Sequence, residues 1–132
     1  FAAQSEFGDN ILDFESGVDQ LGLAPDGLFG ITGAITDLSV LMSNAQLSGI
    51  AVVSQIPLFG SFASATALSA ALTGLGPVTQ TGTAMVFAMV ASDLVMLPVA
   101  NAASATITAG EVGTLETIAT FSNGATPDLF LI

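Results

Sequence analysis

Between residues 38 and 92 the chain carries no ionisable side chain at all. A stretch of that length has no charge with which to hold a surface in water. It must supply a core, or be covered by something else. The rest of the chain is only slightly more polar: charged residues make up 8% and hydrophobic residues 52%. The second figure is too high for a disordered tail. The 132 residues are enough for one domain with a real core, not for two.

The charge that is present has one sign. Eleven acids stand against no Lys, Arg or His, so the formal net charge is −11. No salt bridge between side chains can form within the chain, whatever the fold. Each carboxylate must be solvated, hydrogen-bonded, protonated or paired with an external cation. The missing basic footprint argues against nucleic-acid binding and against anionic membranes. Without Cys or His, thiolate chemistry, zinc sites and a histidine-based triad are excluded within this chain. Any metal would need hard oxygen ligands, which points to calcium or magnesium.

The most apolar window, residues 84–100, is interrupted by Asp93 and Pro98. It reads as two buried strands joined by a turn, and no membrane span is expected. Met85, Phe87 and Met89 alternate with Val86, Ala88 and Val90, and residues 94–99 are similar, with a turn at 91–93. Both faces are apolar, so this hairpin is expected to be covered on both sides, by the domain or by a neighbouring molecule. Further short strands are expected over residues 11–14, 18–23, 49–56, 105–108, 114–121 and 128–132. Residues 28–42 are ambiguous. Ala and Leu dominate residues 63–72, which predicts a helix capped by Ser61 or Ser64 and stopped by Gly74, Gly76 and Pro77. The expected fold is mainly β: a single roll- or sandwich-like domain over residues 1–132, with one or two short helices, one near 63–73. Residues 1–23 form an acidic opening, 24–82 an uncharged Gly/Ala/Ser-rich body, and 83–132 the hairpin and closing strands.

The opening carries the densest charge. Asp9-Asn10-Ile11-Leu12-Asp13-Phe14, then Gly17-Val18-Asp19-Gln20-Leu21-Gly22-Leu23, resembles the segment that closes the calcium-binding arrays of RTX (haemolysin-type) secreted proteins. The tail, Ile118 to Ala125 followed by Asp128-Leu129-Phe130-Leu131-Ile132, resembles the terminal strand of the same modules. The resemblance covers the two ends, and residues 26–80 have no counterpart in it. It implies a module that caps a β-roll, exported by a type I route and ordered by calcium. The Gly-Gly-x-Gly-x-Asp nonapeptides that bind calcium in such rolls are absent. Only Gly8-Asp9-Asn10-Ile11 resembles a last, degenerate copy.

Asp9, Asp13, Glu15 and Asp19 are the candidate calcium ligands, because a hard cation needs several oxygens. The plainer reading is four solvated or turn-capping acids. Asp9, Ile11 and Asp13 would share one side of an extended strand. Asp13 and Glu15 can be posed as a glycosidase pair, but Trp and Tyr are absent and no sugar platform is evident, so no catalytic residue is expected. Met42, Met85, Met89 and Met96 read as core. No Asn-x-Ser/Thr sequon occurs.

The chain begins at Phe1 and is expected to have been processed or excised from a longer precursor. Without Lys or Arg it offers no trypsin site, which suits an extracellular location. Two functions are expected. The first is a non-enzymatic, self-associating subunit of a filament, sheath or surface layer, polymerising through β-edge pairing and stabilised by calcium. The alternative is a C-terminal folding cap and secretion module of a larger RTX-type protein or adhesin.

Overall fold

The computed structural model describes residues 6–23, 55–56, 58–75, 82–101 and 106–131. The fold is mainly β, as expected from the strand patterning. In chain order the elements are β1 (Asp9–Ile11), β2 (Leu21–Leu23), β3 (Gln55–Ile56), β4 (Ser61–Phe62), α1 (Ala65–Leu72), β5 (Gly82–Val90), β6 (Asp93–Asn101), a 3-10 turn (Ala109–Glu111), β7 (Glu116–Phe121) and β8 (Leu129–Leu131). A five-stranded sheet runs β1-β7-β6-β5-β4 and a three-stranded sheet runs β2-β8-β3.

The expected hairpin is the centre of the larger sheet. β5 and β6 pair antiparallel along their whole length, from Gly82↔Asn101 to Val90↔Asp93. Val86, Phe87, Ala88 and Met89 are all buried, as are Leu94, Val95, Met96 and Leu97. Consecutive strand residues point to opposite faces, so both faces of the hairpin are covered by the chain itself. The uncharged stretch therefore supplies core here.

Only two residues, Ala91 and Ser92, join the strands, which fixes the register of the pair. The tight turn forces Ala91 to φ +52, the only non-glycine at positive φ among the described residues. Asp93 at the start of β6 accepts a hydrogen bond from the Thr120 hydroxyl at 2.6 Å and so ties the tip of the hairpin to β7.

The helix forms where Ala and Leu predict it. Ser64 is its N-cap, accepting from the Ala67 N–H at 3.1 Å, and Gly74 follows at φ +89. Leu68 and Leu72, one turn apart, are its buried residues. The strand expected over 105–108 is not seen at residues 106–108. There the chain passes into the 3-10 turn, and the Thr108 N–H donates to the Glu111 carboxylate at 2.9 Å. That local side-chain bond competes with a strand ladder. The ambiguous residues 28–42, and most of the strand expected over 49–56, lie outside the described residues.

Just before the start of β7, Gly113 is the neighbour of β6. Its N–H donates to the Pro98 carbonyl at 2.7 Å, and a Cβ at this position would lie 2.6 Å from Pro98 Cγ. Two substitutions test this geometry in opposite directions. Gly113→Ala forces the backbone off Pro98 and is expected to lower stability by about 1–3 kcal/mol in urea titration. Ala91→Gly relieves the positive φ and is expected to raise stability by up to about 1 kcal/mol.

Candidate functional site: two stacked arches

The first and last described segments of the chain pair with each other. β1, the turn over residues 12–20 and β2 form one strand–turn–strand arch. β7, the turn over 122–128 and β8 form a second. β1 runs parallel to β7 with Asp9↔Ala119 and Ile11↔Phe121 in register. β2 runs parallel to β8 with Leu21↔Leu129 and Leu23↔Leu131 in register. The arches therefore stack like successive rungs, and the N-terminal turn is longer by two residues.

Apolar contact sets the inside of the stack. Phe14 is buried and meets Phe121 edge-on, with centroids 5.2 Å apart and rings at 85°. Leu21, Leu23 and Leu129 are buried beside them. The extra length of the first turn is taken up in a tight loop. The Val18 and Asp19 N–H groups donate to the Glu15 carbonyl at 3.0 and 2.8 Å, and Gly17 sits at φ +84. Only a residue without Cβ adopts that backbone freely.

Hydrogen bonds then join turn to turn. The Ser16 hydroxyl donates to the Thr126 carbonyl at 2.6 Å. The Gly17 N–H donates to the Asp128 carboxylate at 3.0 Å, and the Leu21 N–H donates to the Asp128 carbonyl at 2.9 Å. The Asn123 amide donates to the Phe14 carbonyl at 2.8 Å. The Ser122 N–H donates to the Ile11 carbonyl at 2.9 Å, and its hydroxyl donates to the Asn10 side chain.

The four candidate ligands all lie on the N-terminal arch, and all four are exposed. Asp9 is in β1. Asp13 lies beyond the end of that strand, so the alternation expected to pair it with Asp9 does not extend to it. Asp19 accepts from the Glu15 N–H at 2.9 Å and so closes its own turn. Among the described residues no three acidic side chains converge on a point where a metal ion would sit.

The residues that hold the site together, Ser16, Asn123 and Asp128, were not singled out from sequence as its ties. Asn123 precedes a glycine, which is a turn signal in sequence but says nothing of a partner across the stack. Nothing local in Asp128 indicates that it reaches a residue 111 positions away.

On its outer side the N-terminal arch presents Leu12 and Val18, 67% and 66% exposed, the large hydrophobics that stand out in water among the described residues. β1 is the last strand of its sheet and β2 the last of the other, again among the described residues. The arch thus carries the edge strand of each sheet, with the two exposed apolar residues in the turn that joins them.

No family model, no curated protein and no solved structure matches this chain.

Asp128→Ala removes the acceptor for Gly17 while leaving the backbone bond to Leu21. It is expected to cost about 1 kcal/mol and to raise amide exchange at Gly17 and Val18 before the hairpin is affected. Equal exchange in variant and parent would show that the bond does not hold the turn.

Proposed function

We propose that this chain is a non-enzymatic structural module that terminates a parallel β-stack outside the cell. One observation carries the reading: the stack changes character across the molecule. On its inner side, parallel pairing stops. β7 is followed by antiparallel β6, and β8 by antiparallel β3. On its outer side it ends at β1 and β2, the edge strands of the two sheets among the described residues. A rung laid on that edge would continue the stack in one direction only, which is what a cap requires.

The likeness of both end blocks to RTX closing segments points the same way, since those two blocks are the ones that form the arches. The extracellular placement rests on that likeness and on the absence of Lys and Arg. The non-enzymatic reading rests on the want of Cys, His and Lys for acid–base or nucleophilic work.

A self-associating subunit of a filament, sheath or surface layer is the second reading. Leu12 and Val18 favour it, because exposed apolar side chains beside an open edge also suit a second copy. In that case the four exposed acids of one copy's N-terminal arch would add to the negative charge of its neighbour, so assembly would need screening by salt or a divalent cation such as calcium.

Two measurements separate the readings. A designed series of parallel arches fused ahead of residue 6 is expected to be more soluble, and to melt more cooperatively, with this chain attached than without it. No gain would sink the cap. Electron microscopy of the chain by itself, with calcium and with chelator, is expected to show dispersed particles. Filaments or sheets would favour the subunit.

A further inference from the structure

Asn123 ties the two arches through its amide nitrogen and braces its own turn through its amide oxygen. Nδ2 donates to the Phe14 carbonyl at 2.8 Å, and Oδ1 accepts from the Ala125 N–H at 3.2 Å. Phe14 is the buried residue at the shoulder of the N-terminal arch, packed on Phe121. The next residue is Gly124, at φ +72, whose N–H donates to the Phe121 carbonyl at 3.0 Å. Of the four asparagines in the chain, at 10, 44, 101 and 123, only this one precedes glycine. An asparagine before glycine is the pairing most prone to lose its amide, because glycine has no side chain to keep its nitrogen from the neighbouring side-chain carbon.

We propose that Asn123 is a deamidation site gated by the pairing of the two arches, and that its product keeps them from closing again. The Gly124 nitrogen gives up its proton to a base in solution and attacks Asn123 Cγ. The Cγ–Nδ2 bond breaks, and ammonia leaves with a proton returned from solvent. A five-membered succinimide remains. Water opens it at either carbonyl and leaves aspartate or isoaspartate at position 123. One water enters, one ammonia departs, and nothing is oxidised or reduced.

The closed arches oppose each part of that sequence. The amide is held at both ends by hydrogen bonds that must break before it can turn freely. The Gly124 N–H is itself engaged with Phe121. Attack therefore waits for the turn to open, a local event well short of unfolding. Once formed, the product does not fit the place it left. A carboxylate has no N–H for the Phe14 carbonyl and sets one oxygen against another. It also adds a negative charge to a chain already at −11 with no cation to answer it. Isoaspartate further lengthens the backbone by one carbon in the turn that joins β7 to β8, the strands that pair with β1 and β2. The turn thus works as a one-way clock on the pairing of the chain's ends. This holds whatever lies on the outer edge of the stack.

The test uses the unmodified full chain at mildly alkaline pH, incubated folded and in concentrated urea. Deamidation at 123 is followed by mass spectrometry of chymotryptic peptides, since trypsin has no site, and isoaspartate by enzymatic methyl labelling. The folded chain is expected to react at least about tenfold more slowly than the unfolded one. Ser16→Ala, which loses the tie to Thr126, is expected to speed the folded rate severalfold with the urea rate unchanged. Asn123→Asp is expected to melt below the parent and to show faster amide exchange at Ile11 and Leu21. Equal rates folded and unfolded, or a Ser16→Ala rate like the parent's, would overturn the gating. An Asn123→Asp chain with the parent's melting point and exchange would overturn the consequence.

Discussion

The structure depends on bringing together two segments more than a hundred residues apart. β1 finds β7, and β2 finds β8, across the whole of the intervening chain. The entropy of closing such a loop grows only slowly with its length, so the distance itself is tolerable. What the ends must supply is a set of contacts worth that closure. Phe14 on Phe121, with Leu21, Leu23 and Leu129 buried beside them, provides the apolar share. Ser16, Asn123 and Asp128 provide direction, because each bonds a specific group on the facing turn. Pairing of this kind is late and non-local, so the hairpin of β5 and β6, with its two-residue turn, is the natural element to form first.

The charge of the chain shapes how those ties are made. With no cation available, a carboxylate gains a partner only from an N–H or O–H group. Asp19 takes the Glu15 N–H, Asp128 the Gly17 N–H, Asp93 the Thr120 hydroxyl and Glu111 the Thr108 N–H. Three of these acids take a backbone N–H and Asp93 takes a hydroxyl, and none of the four bonds balances a charge. The arrangement leaves the net repulsion of −11 untouched. Salt is therefore expected to act on the molecule as a whole through screening, not on any one pair.

The hairpin and the helix were legible because their signals are local. Alternation of apolar residues over 83–90 and 94–99, a turn between them, and an Ala/Leu run behind a serine each decide their structure within a few residues. The apolar character of both strand faces also indicated that both would be covered. It did not indicate by what, and the answer is the chain's own core. The arches were only half legible. The strands expected over 18–23, 114–121 and 128–132 contain β2, β7 and β8, whereas the one expected over 11–14 meets β1 only at Ile11. Their mutual pairing, and the ties of Asn123 and Asp128 across it, are long-range facts with no periodicity to reveal them. The reading of Asp9, Asp13, Glu15 and Asp19 as one cluster came from density along the sequence. Strand β1 ends at Ile11, so that density does not become convergence in space.

The placement of polarity changes where activity is to be sought. A long uncharged stretch invites the view that the body is the adhesive part and the acidic opening a soluble appendage. The described residues argue the reverse. Leu68 and Leu72 of the helix, and Val86 to Met89 of the hairpin, are spent on the core. The exposed large hydrophobics, Leu12 and Val18, belong to the acidic arch, between two terminal strands. Charge at such an edge is what keeps an open strand from pairing indiscriminately. On the proposed reading, an arch with two exposed apolar side chains and four exposed acids would favour a partner that tolerates its charge over a second copy of the chain.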